Sequence, residues 1–119
     1  MKNPFRKEFE ITLNRVHDTV VIREDGERLT LTVNGDAQRM VAGLSNAQKR
    51  MQAITDDSTD AEIREIAEYF SAVIFGKEQT EKLFAFYAND PASVISVCGQ
   101  YFKNRLAGKI SEAQKRIRV

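Results

Sequence analysis

Tryptophan is absent from this chain, cysteine and histidine occur once each, and proline occurs twice. Each shortage excludes something. A lone cysteine, Cys98, rules out an intrachain disulfide, and its neighbours Val94, Ile95, Val97 and Phe102 predict a buried, inert thiol. One histidine, His17, leaves too few parts for a histidine-based zinc cluster or a His-activated nucleophile. It is expected in the exposed connection between the first strands. So few prolines leave long stretches in which helices can run without interruption. No apolar run reaches the roughly 20 residues that span a bilayer. None follows "MKNPFRKEFE" either, so no signal peptide is expected. A net charge of +1 gives no global steering toward nucleic acid or anionic lipid. A reducing intracellular setting is the expectation that follows.

What remains is an ordinary globular composition, 42% hydrophobic and 29% charged, in a chain of 119 residues that suits one domain. The first part, 1–35, reads as β and the remainder, 36–119, as helical. In "EFEITL", Phe9, Ile11 and Leu13 alternate with Glu8, Glu10 and Thr12, the period of a strand with one buried face. "TVVIREDGERLTLTV" carries Asp25-Gly26 as a hairpin signal, with Leu29, Leu31 and Val33 on one side and Thr30 and Thr32 on the other. Three short antiparallel strands are predicted, near 8–13, 19–24 and 28–34, in an order the pattern leaves open.

Asn34-Gly35-Asp36 is expected to break the last strand, with Asp36 as a helix N-cap. Met40, Leu44, Ala47, Met51 and Ile54 then recur at helical spacing, with Gln38, Arg39, Asn46, Lys49 and Arg50 on the opposite, wet face. Thr59 and Glu62 have capping-box spacing before a second stripe of Ile63, Ile66, Ala67, Phe70, Val73 and Ile74, which Gly76 closes. A short helix near 78–88 presents Leu83, Phe84 and Tyr87 together. Asp90-Pro91 starts the last helix, whose stripe runs Val94, Ile95, Cys98, Phe102, Leu106, Ile110, Ala113 and Ile117, with a kink or an early end at Gly108. The expected class is α+β, a short antiparallel sheet followed by four helices.

Catalytic and metal motifs fail on inspection. Asp56, Ser58 and Asp60 begin with EF-hand spacing, but Ala61 stands where the loop needs glycine and Ala67 where it needs a bidentate glutamate. Gly76-Lys77 hints at a P-loop, yet Ser71 replaces its first glycine and Glu78 its Ser/Thr. No catalytic residue, metal ligand or cofactor is therefore assigned, and a non-enzymatic role is expected. Charge is polarised along the chain. Asp56, Asp57, Asp60, Glu62, Glu65 and Glu68 face a lone Arg64, whereas Lys103, Arg105, Lys109, Lys115, Arg116 and Arg118 face a lone Glu112. The basic helix leaves nucleic-acid association open as an alternative, and a cellular protein–protein adaptor as another.

"EYFSAVIFGKEQTEKLF" runs a helix into Phe75-Gly76, a charged turn and Glu81 to Phe84, and "SVISVCGQYFKNRL" follows in an amphipathic helix. Over residues 36–116 this wording resembles the small tail assembly chaperones of long-tailed bacteriophages and related prophages of Gram-positive bacteria. The resemblance implies a protein of the bacterial cytoplasm that binds the tape measure protein, helps recruit the major tail protein, self-associates and is absent from the finished virion. It also implies no catalytic residues, and in many members a second, frameshifted form.

The stretch 68–87 holds Tyr69, Phe70, Phe75, Phe84, Phe86 and Tyr87, six of the ten aromatics of the chain. Neighbours in a helix point about 100° apart, so one of Tyr69/Phe70 and one of Phe86/Tyr87 must leave the core stripe. Tyr69, Phe84, Phe86, Tyr87 and Tyr101 are accordingly the candidate client-binding residues, with Phe86 expected to be wholly exposed. Asp56, Asp57, Asp60 and Glu65 against Lys103, Arg105 and Lys109 are the candidates for head-to-tail self-association.

Overall fold

Asp25 and Gly26 decide the first element pair. Both have positive φ, 50° and 81°, the pattern of a two-residue turn whose twist matches that of the strands it joins. In the computed structural model, which describes residues 15–108 and 111, this turn joins β1 (Arg15–Glu24) to β2 (Glu27–Asp36) in one antiparallel ladder. Four helices follow: α1 (Ala37–Gln52), α2 (Asp60–Phe75), α3 (Lys77–Phe86) and α4 (Pro91–Tyr101), the last continued by a π-helical turn, Phe102–Leu106. The class is α+β, as expected. The predicted strand at 8–13 lies outside the described residues.

β1 is longer than its sequence pattern suggests, ten residues beginning at Arg15. Pairing of Arg15–Asp18 with Val33–Asp36 extends the ladder through the Asn34-Gly35-Asp36 segment, which does not break the strand. His17 is therefore an exposed strand residue, not part of a connection. Val16 explains the extension, because it points inward and is fully buried. Gly35 lies opposite it, where an added Cβ would meet the Met40 methyl, the movable end of that side chain. Val16, Leu31 and Val33 form the buried face of the hairpin, with Val20, Ile22 and Leu29 packed around them.

The helical stripes fall where periodicity puts them. Leu44 and Ala47 of α1, Ala67, Phe70 and Ile74 of α2, Leu83 and Phe84 of α3, and Val94 and Cys98 of α4 are buried in one core. Arg39, Asn46, Lys49 and Arg50 are exposed on the far side of α1. Thr59 caps α2 by accepting from the Glu62 amide at 3.1 Å, and Asp90 caps α4 by accepting from Ala92 N and Ser93 Oγ at 3.3 and 2.7 Å. Gly76 both ends α2 and begins α3 at φ 84°, ψ 166°, a conformation open essentially to glycine alone. Tucked beneath this corner, Ser71 Oγ and Thr80 Oγ1 lie 2.8 Å apart, and Thr80 donates to the Gly76 carbonyl at 2.7 Å. Two buried hydroxyls thus lock the α2–α3 turn.

The irregularity expected at Gly108 comes earlier. The turn over Phe102–Leu106 widens to π geometry, with Ala107 N donating to Phe102 O. Leu106 stays fully buried and Arg105 is brought onto Asp18 of β1. Residues Ile110, Ala113 and Ile117 of the predicted stripe lie outside the described residues.

Candidate protein-binding faces

The five candidate aromatics divide between two places. Tyr69 on α2 and Phe84 on α3 share a groove of about 560 Å³ between these helices. Tyr69 is half-buried beneath the Arg50 guanidinium, 4.2 Å above its ring centroid. Phe84 is only 3% exposed, so it forms the floor of the groove instead of a free surface, with Arg64 4.9 Å above its ring. Such cation–π contacts contribute roughly 0.5–1 kcal/mol at exposed sites, enough to hold a lid and too little to lock it. Arg64 also reaches Glu68 at 3.0 Å, one turn along. An apolar floor under movable cationic lids, with Glu65, Glu81 and Lys77 around it, is a surface suited to an amphipathic helix.

The other three aromatics face the hairpin. Phe86 is half-buried, not wholly exposed as expected, because its ring meets the edge of Tyr87 at 5.1 Å. Burial and the hydrogen-bonding Glu24 carboxylate at the hairpin tip push the Tyr87 phenol up to about 12. Tyr101 donates its hydroxyl to Asp18 Oδ2 at 2.7 Å, and its ring tilts against Phe75 at 5.8 Å. Burial, and then the Asp18 hydrogen bond and charge, raise this phenol well above its usual range. Asp18 also takes two hydrogen bonds from Arg105, from Nε at 2.7 Å and Nη2 at 3.0 Å. A carboxylate on the inward side of a strand is tolerable because a cation and a phenol both donate to it. Between the two tyrosines lies a wider groove of about 730 Å³, bounded by β1 and α4.

Of the charged candidates, Asp56, Asp57, Asp60 and Glu65 are exposed on or before the first half of α2, and Lys103 is exposed on the π turn. Arg105 is held by Asp18 within the chain, so its charge is already satisfied. Lys109 lies outside the described residues.

Sequence reasoning missed Gln79. Its carboxamide donates to Thr32 O at 2.6 Å and to Phe75 O at 2.8 Å, and accepts from Thr32 N at 2.7 Å. One side chain thus pairs with β2 as a strand residue does and pins α3 to the sheet. Nothing in the helical periodicity marks it, since the partner is a backbone.

Among the described residues there is no cluster of three or more metal-ligating side chains, and no helix is long and apolar enough to cross a membrane. The chain matches no known protein family, no curated protein and no solved structure significantly.

Proposed function

We propose that this chain is a tail assembly chaperone of the long-tailed-phage type, a binding protein without turnover. It holds amphipathic helices of a tape measure protein, helps bring in the major tail protein, and works as an oligomer in the bacterial cytoplasm without entering the virion. The observation that carries the reading is the α2–α3 groove, where Arg50 and Arg64 cover the rings of Tyr69 and Phe84. A client helix that lays its apolar side on these rings displaces the guanidinium groups toward carboxylates on its own flanks. Such a grip demands an amphipathic helix and no particular sequence, which is what a long helical client requires. The resemblance of residues 36–116 to such chaperones supports the same assignment.

Co-expression with a long helical tape measure protein tests it. The client should stay soluble with the intact chain and precipitate with the Tyr69→Ala variant. No gain in client solubility with the intact chain counts against the proposal. Retention on heparin at physiological salt, lost steeply as salt rises, supports instead a nucleic-acid-associated role for the basic terminal segment.

A further inference from the structure

The two guanidinium lids of the α2–α3 groove are held differently. Arg64 lies over Phe84, and its Nε also donates to Glu68 Oε1 at 3.0 Å, one turn further along the same helix. Arg50 comes from the last turn of α1 and crosses to Tyr69 on α2. Although it is exposed, it forms no ion pair with any described residue. A cation in the last turn of a helix suits the dipole, and Lys49 shares that position. The dipole therefore accounts for a positive charge there, and not for a guanidinium laid across an aromatic ring of the neighbouring helix.

A helix that seats apolar side chains on Tyr69 and Phe84 moves both guanidinium groups off their rings and strips water from them. The consequences differ. Arg64 moves with Glu68 beside it, so the pair stays neutral and hydrogen-bonded and needs nothing from the incoming helix. Arg50 leaves its ring with no acceptor, and a covered cation without one is costly. A carboxylate meets the need best, because the planar guanidinium fork donates two parallel hydrogen bonds to it. Given the α2–α3 groove as the client site, we infer that Arg50 sets client specificity. It selects an amphipathic helix that carries a carboxylate beside its apolar stripe, whereas Arg64 is a lid that any apolar stripe can lift. Two other groups of the groove compete for these parts. Glu65, one turn before Tyr69, is an acceptor within the chain, yet in the free protein it leaves Arg50 on the ring. Lys77, at the start of α3, is a second cation, but Tyr69 and Phe84, the rings a client must reach, are covered by Arg50 and Arg64.

Two synthetic amphipathic helices of about five turns test the inference, alike in their leucine stripe and flanked in one by glutamate and in the other by glutamine. Each is labelled and titrated with the full chain by fluorescence anisotropy. The glutamate peptide should bind at least tenfold tighter. Arg50→Gln should abolish that preference and Arg64→Gln should preserve it, with urea midpoints near that of the intact chain showing that both variants are folded. Equal binding of the two peptides to the intact chain overturns the inference while keeping the groove as a client site, with Glu65 taking the displaced cation. A preference that survives Arg50→Gln and is lost in Lys77→Gln also overturns it and assigns the selection to Lys77. Binding of neither peptide to the intact chain removes the groove as a client site, and the role of Arg50 with it.

Discussion

Ala88 sits at φ 51° and Asn89 at φ 64°, a left-handed pair that ends α3 and lets Asn89 N reach Phe84 O at 2.7 Å. Asparagine tolerates this region, but alanine places its Cβ against the next carbonyl. Ala88→Gly should therefore stabilise the fold by about 0.5–1 kcal/mol, the strain relieved less the extra freedom of the unfolded glycine. A raised urea midpoint with an unchanged slope is the expected readout. Cys98 offers a second test at this scale. Burial pushes its thiol from 9.0 up to about 12, with a Ser71 hydrogen bond opposing the shift only in part. The unfolded thiol ionises first, so the stability it confers is complete below about pH 9 and drains away as pH rises toward 12. Tyr87, raised from 10.0 to about 12, adds to the upper part of the same window. Unfolding midpoints followed from pH 8 upward should fall, and fall less steeply in Cys98→Ala. Identical slopes in the two proteins would remove Cys98 from the explanation.

Elements whose stability comes from a repeating pattern were legible before the structure, and those fixed by one distant contact were not. The α1 and α2 stripes, the Thr59 and Asp90 caps and the Asp25-Gly26 turn are local, so spacing of a few residues reveals them. The seating of the π turn against β1 depends on Asp18 meeting Arg105 and Tyr101, more than eighty positions away, which no local period records. The aromatics show the same division: Phe70 is core as its stripe predicts, while Phe84, a candidate contact residue by sequence, is the buried floor of a groove, and Tyr69 is shielded by Arg50 of another helix. Two substitutions separate these roles. Phe70→Ala should cost roughly 3–5 kcal/mol as a core deletion. Tyr69→Ala should cost about 1 kcal/mol, the cation–π contact and part of one ring's burial, yet weaken binding of the proposed client helix more than tenfold. If both destabilise the fold equally by chemical denaturation, Tyr69 is core and the groove is not the client site. Gln79→Ala, at the α3–β2 junction, should cost about 1–2 kcal/mol through the hydrogen bonds it makes to Thr32.

Across the whole molecule the charge is divided, and the described contacts leave much of it unspent. Asp56, Asp57 and Asp60 are exposed around the start of α2, Glu68 is engaged by Arg64, and Arg105 is engaged by Asp18. The acidic end therefore keeps most of its carboxylates for a partner, while Lys103 stands exposed on the π turn beyond α4. A sequence that is acidic over 56–68 and basic over 103–118 suits a second copy placed head to tail, a heterologous contact that closes into a ring or continues as a spiral. Exposed charges attract weakly through water, and the range of the attraction is about 10 Å at 0.1 M salt and about 3 Å at 1 M. Association of this origin should thus be strongest in dilute buffer and lost as salt rises. Light scattering across a salt series is expected to show oligomers that dissociate, and Lys103→Glu should lower the salt needed to dissociate them. A hydrophobic interface would instead persist or strengthen at high salt. A monomer at every salt and protein concentration would exclude both, and the proposed client would then be held by a single groove.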